Sequence, residues 1–121
     1  MVESPTLEEN LKRLESFRET IKTEEGTLNP LPEIVLDRAR RLINNIPDEQ
    51  QPTLFPSYVD NLALEFFNED DFLKIIIRED QYCLYLLFCD NDRLHRYENV
   101  SESEVREEID KFLGGFYAKK H

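Results

Sequence analysis

From Thr53 to Phe88 apolar and polar residues tend to alternate at a spacing of two, whereas on either side they recur at three and four. The pattern predicts a sheet flanked by helices. Thr6 followed three residues later by Glu9 is a capping box, and Leu7, Leu11, Leu14, Phe17 and Ile21 then share one helical face. A first helix ending before Gly26 follows; its stripe is narrow, which suits a peripheral arm over residues 1–29. Gly26 to Pro32 reads as a connector, because Pro30 and Pro32 cannot continue a helix but the second can open one. The second helix begins near Pro32, buries Ile34, Val35, Ala39, Leu42, Ile43 and Ile46, turns Arg38, Arg40 and Arg41 outward, and stops at Pro47.

Turn chemistry sets the sheet register. A turn at Asn68 to Asp71 pairs Phe67 with Phe72, Glu65 with Lys74 and Ala63 with Ile76, placing opposite charges across from each other. A second turn at Arg78 to Gln81 sets Ile77 against Tyr82, Ile75 against Leu84 and Lys74 against Tyr85. Arg93 to Tyr97 adds a short last strand after Asp90-Asn91-Asp92. Ser101 with Glu104 is a second capping box, opening a helix that runs to about Leu113 with Val105, Ile109, Phe112, Leu113 and Phe116 on one face. The expected fold is α+β and two-layered: helix, helix, antiparallel β-meander of three to five strands, helix, with residues 30–121 as one domain.

This register puts Leu62, Leu64, Phe66, Leu73, Ile75, Ile77, Tyr82, Leu84, Leu86 and Phe88 on one face, the core side. The other face also carries apolar residues, Ala63, Phe67, Phe72, Ile76, Cys83, Tyr85 and Leu87, among Glu65, Lys74 and Arg78. A solvated antiparallel face alternates more cleanly than this, and a broad apolar patch marks a contact surface. Three coverings are open: the first helix, a second copy of the chain, or a different protein. Tyr85 beside Lys74 is expected to form a cation–ring contact there.

A net charge of −11 over 121 residues excludes nucleic acid and anionic membrane as expected partners and favours a basic protein. Met1 to Pro5 shows no secretory signal, and no run approaches the ~20 apolar residues that span a bilayer, so a cytoplasmic address is expected. Cys83 and Cys89, six apart on one strand, would sit about 20 Å apart and cannot bridge each other.

The meander returns Glu69, Asp70 and Asp71 to the same end as Asp90 and Asp92. These five carboxylates suit a docking surface for a basic partner, or simply solvated turns. A calcium loop would need a glycine and further ligands, and Leu94 stands where one of them should be. Cys89 and His95 lack an orienting third group and an oxyanion donor pair, and Gly26, Gly114 and Gly115 form no phosphate loop. The arginine trio is flanked by Glu33 and Asp37, with Asp37 to Arg41 the expected ion pair. No metal, no cofactor and no enzymatic activity are expected.

The run from Leu42 through NNIPDEQQPTLFPSYVDNLALEFFNEDDFLKIII resembles short uncharacterised bacterial proteins. In those, a helix precedes a proline-marked strand, and a strand ending in an acidic and an aromatic residue, here Glu65 and Phe66, precedes another. Asp60-Asn61 replaces the glycine-rich turn usual there. The resemblance covers about a third of the chain and implies the hairpin, with no activity attached.

The expectation that results is a non-enzymatic protein–protein interaction module of the antitoxin, immunity or inhibitor kind. Phe67, Phe72, Ile76, Tyr85 and Leu87 are its expected anchors, and Glu69, Asp70, Asp71, Asp90 and Asp92 steer a basic partner. A homodimeric subunit hiding the same face is the alternative reading, and a small metal-dependent or cysteine enzyme a third.

Overall fold

A computed structural model describes residues 5–19, 21–23, 26–28, 30–56, 60–68, 71–88 and 93–114. Helix α1 spans Leu7–Ser16 and is followed by strands β1 (Ile21–Thr23) and β2 (Gly26–Leu28), then by helix α2 (Glu33–Ile43). Strands β3 (Thr53–Pro56), β4 (Leu62–Asn68), β5 (Asp71–Ile77), β6 (Tyr82–Phe88) and β7 (Arg93–Val100) precede helix α3 (Glu102–Leu113). The five later strands form one antiparallel sheet in chain order, and β1 and β2 form a separate two-stranded sheet. The fold is therefore the expected α+β meander with flanking helices.

Helix starts follow their caps. The Thr6 hydroxyl accepts from the Glu9 backbone N–H, and the Glu9 carboxylate accepts from the Thr6 N–H, both at 3.1 Å. Ser101 likewise caps α3, accepting from the Glu104 N–H at 3.2 Å, while the Glu104 carboxylate takes the Ser101 hydroxyl instead of its backbone N–H. Each cap satisfies one N-terminal amide that the helix leaves without an internal partner. The first helix stops earlier than its spacing predicts, with Phe17 as its C-cap. Ile21, which fits the helical stripe, instead opens a short hairpin paired Ile21 to Leu28. Gly26, at φ +144, supplies a backbone conformation that side chains resist. The Leu31 N–H returns to the Phe17 carbonyl at 2.8 Å, closing the base of this excursion.

The larger of two buried clusters joins the helices to the sheet. Leu14 and Phe17 of the α1 segment, Val35, Leu36, Ala39, Leu42 and Ile43 of α2, and Val105, Ile109 and Phe112 of α3 join the inner-face strand residues in a single buried cluster. Two expectations change here. Leu14 and Phe17 are buried in the main core and α1 packs on α2 and β3, so its described part is a member of the helical layer and not an outlying arm. In α2 Leu36 is buried, whereas Ile34 is 46% exposed, because at helical spacing Leu36 and not Ile34 falls within the stripe set by Val35, Ala39, Leu42 and Ile43.

Asn10 and Gln51 are buried polar residues that clip α1 to the loop after α2. Asn10 Nδ2 donates to Gln51 Oε1 at 2.8 Å, and Gln51 Nε2 donates to the carbonyls of Ile43 and Ile46. Gln51 thereby satisfies two carbonyls past the last helical hydrogen bonds of α2.

Candidate functional site

The expected register holds at every pair. Phe67 faces Phe72, Glu65 faces Lys74 and Ala63 faces Ile76 across β4 and β5, and Lys74 faces Tyr85 across β5 and β6. With β3 and β7 added, the sheet face away from the helices resolves into three rows running across the strands. One row reads Phe55, Ala63, Ile76, Cys83. The next reads Thr53, Glu65, Lys74, Tyr85, Arg96. The third, at the end where β4 turns into β5 and β6 into β7, reads Phe67, Phe72, Leu87, Leu94.

These rows meet water differently. Ala63, Ile76 and Cys83 form a second buried cluster, against which Phe55 and Tyr85 pack, and no residue of the described helices belongs to it. The small side chains of Ala63 and Cys83 sit between larger neighbours, so the row needs little area from outside to close. The charged middle row supplies some of it. Lys74 Nζ lies 5.8 Å from the Phe55 ring centroid and 3.8 Å from Glu65, and the Arg96 guanidinium lies 5.5 Å from the Tyr85 ring while pairing with Glu98. Long cationic side chains lay their stems along apolar surface and keep their charge in water, so the middle row walls the first row off.

Phe67 and Phe72 of the third row have no cationic side chain over their rings among the described residues. Phe67 is 64% exposed, the most exposed large apolar residue of the described chain, and its ring meets Phe72 with centroids 5.1 Å apart and planes tilted by 50°. The tilted geometry is one that aromatic pairs prefer. Phe72 itself is half-buried.

Of the expected anchors, Phe67 and Phe72 lie side by side as an accessible pair. Ile76 is 6% exposed and belongs to the floor of the face; a row neighbour on each side, not a partner, buries it. Tyr85 is half-buried, and its cationic neighbour over the ring is Arg96; Lys74 goes to Phe55 instead, through the pairing of β3 with β4. Asp71 opens β5 opposite Asn68 and is half-buried. Leu87 continues the third row by register, but its side chain lies outside the described residues, as do Glu69, Asp70, Cys89, Asp90 and Asp92. The described strand ends flanking both acidic turns do lie at one end of the sheet, since Phe72 pairs with Leu87 and Leu87 with Leu94.

A polar cluster on the opposite side of the sheet has no counterpart in the sequence pattern. The Tyr82 hydroxyl donates to Glu102 Oε1 at 3.0 Å, and Arg41 Nε and Nη2 reach the same oxygen at 3.1 and 3.0 Å. Arg106 Nη2 donates to the Arg41 carbonyl at 2.9 Å, and the Arg38 guanidinium stacks 5.3 Å from the Tyr82 ring. Burial works to raise the Glu102 carboxyl, but the hydrogen bonds from Arg41 and Tyr82 and the nearby arginine charges outweigh it and hold the group below its ordinary range. Burial and the Glu102 hydrogen bond push the Tyr82 phenol up. The arginines of α2 thus serve as struts: Arg41 ties α2 to α3, and Arg40, not Arg41, pairs with Asp37 at 2.7 Å. Only their spacing to Glu33 and Asp37 is legible locally; Tyr82 and Glu102 arrive from remote segments.

The described residues contain no group of three or more His, Cys, Asp or Glu arranged to hold a metal ion, and no described helix is long and apolar enough to cross a membrane. Cys83 is fully buried in the small cluster. Set beside protein-family models, curated proteins and solved structures, the chain matches none of them.

Proposed function

We propose that the chain is a non-enzymatic interaction module that binds a basic protein through the turn end of its open sheet face, in the manner of an antitoxin, immunity or inhibitor protein. The supporting observation is the Phe67–Phe72 pair: two mutually tilted rings, one of them largely exposed, on the same face as a buried cluster to which no described helix contributes. An aromatic pair gives large contact area at low entropic cost, and exposed apolar surface of this kind marks contact sites. The net charge of −11, with Asp71 at this end of the sheet and acidic residues in the sequence joining β4 to β5 and β6 to β7, speeds encounter with a cationic partner.

The experiment compares wild-type and Phe67→Ala chains as bait in an extract of the native cells, with folding checked by circular dichroism. A basic protein held by the wild type and released by the folded variant supports the reading. Equal retention by both chains contradicts it.

A homodimer through the same face is favoured by one separate feature. Glu65 pairs with Lys74 and Arg96 with Glu98, so the middle row is balanced within itself and two copies would meet without net repulsion there. Light scattering at high concentration decides: a dimer mass that collapses to monomer in Phe67→Ala supports this reading, and a monomer throughout removes it.

A further inference from the structure

The helical layer stops short of the last strand. Helix α3 packs on β5 and β6, while β7 forms the sheet's edge. Tyr97 pairs with Leu84 and so shares the inner, core-side face, yet it is 49% exposed. Beside it a groove of about 510 Å3 runs between β7 and α3. Leu84 and Val100 line its apolar part, Glu104, Glu107 and Glu108 of α3 and Glu98 of β7 bring carboxylates to it, and Lys111 and Arg96 are the cations among its lining residues. Lys111 lies 3.4 Å from Glu107 and 4.0 Å from Glu108, and the lining residues of α3 comprise three carboxylates to one ammonium.

An edge strand presents backbone donors and acceptors that another extended chain can pair with, and native proteins usually blunt such edges. At the far end a register shift opposite Tyr82 to Leu84 and the left-handed Asn99, whose N–H is taken by Gln81 Oε1 at 2.7 Å, blunt the edge and close off Val100. We propose that this groove takes an extended lysine- or arginine-rich segment of another protein, added alongside β7 as a sixth strand. Its alternate side chains lay their aliphatic stems over Tyr97 and Leu84 and carry their charges to the carboxylates of α3. This site is on the inner face and the β7 edge, and does not depend on the Phe67–Phe72 pair.

The test titrates a labelled peptide of alternating lysine and valine into the full chain, and follows both fluorescence anisotropy and amide NMR shifts. The expected result is salt-sensitive binding that moves the amides of Arg96, Tyr97 and Glu98 and of α3 from Glu104 to Lys111. A block peptide of the same composition, with lysines and valines segregated, is expected to bind at least about tenfold more weakly, because only the alternating pattern keeps the charges on one side of a strand. Glu107→Lys, at a position exposed on α3, is expected to weaken the alternating peptide by a similar factor while the chain stays folded. Equal binding of the two peptides, shifts that map to Phe67 and Phe72 instead, or no binding at all overturns the proposal. The wild-type shift map and the peptide comparison decide the matter even if the variant fails to fold.

Discussion

Two apolar rows lie on the same open face of one sheet, two residues either side of a charged row, and meet opposite fates. Phe55, Ala63, Ile76 and Cys83 close on themselves, with Ala63 and Cys83 fully buried. Phe67 and Phe72 do not, and Phe67 stays mostly in water. Composition does not separate them, since both are apolar; side-chain size and neighbours do. The first row alternates large with small side chains and is flanked by Lys74 over Phe55, whereas the other sets two phenylalanines side by side at the end of the sheet, where the strands run out into turns. An apolar face therefore need not be an interface along its whole length. What stays open to solvent is the part that its own neighbours cannot reach.

The strongest way to break this contrast is Ile76→Ala. If the first row is core, losing a buried aliphatic side chain costs about 2–4 kcal/mol in a denaturant melt; a loss below about 1 kcal/mol would show that the row is surface. Next in size is a carboxylate on the inner side, a control for what a polar strut contributes. Glu102→Gln is expected to cost about 1 kcal/mol near neutral pH, from weakened charge-assisted hydrogen bonds discounted for partial exposure. Because the Glu102 carboxyl is held below its ordinary range, its contribution is present above the unfolded pKa, ~4.3, and is lost as pH falls through the lower folded value. The stability gap between wild type and Glu102→Gln should therefore close in acid, and pH-dependent melting checks it.

Lys74→Ala sharpens the contrast from the middle row. Removing the stem over Phe55 and the Glu65 partner should cost about 0.5–1 kcal/mol and increase the solvent exchange of the Ile76 amide region. The smallest effect is expected where the account places function. Phe67→Ala should change stability by no more than about 0.5 kcal/mol, since a largely exposed side chain loses little on truncation.

How far all this could be read in advance differs by element. The sheet register was legible because a one-residue slip would have lost the pairing of Glu65 with Lys74 and sent Leu64 and Ile75 to the wrong face. Helix α3 was legible from Ser101 and Glu104, a local signal. The β1–β2 hairpin was not, because Ile21 satisfies helical spacing and strands this short carry no period of their own. Of the candidate site, the two faces were legible but not the rows, which require β3 to be registered against β4 so that Phe55 meets Ala63 and Lys74. Ile76 was read as an anchor for that reason. The Asn10–Gln51 clip and the Tyr82–Glu102–Arg41 cluster were hidden as well, since the clip joins residues 41 positions apart and Glu102 meets Tyr82 and Arg41 from 20 and 61 positions away.

The most direct test of the docking surface is hydrogen–deuterium exchange of the chain, free and saturated with the basic protein captured by wild-type bait. New protection centred on residues 66–73, with the outer faces of α1 and α2 unchanged, is the result expected if the exposed phenylalanine pair seats the partner. Protection confined to the helical layer, with residues 66–73 exchanging as in the free chain, would contradict it.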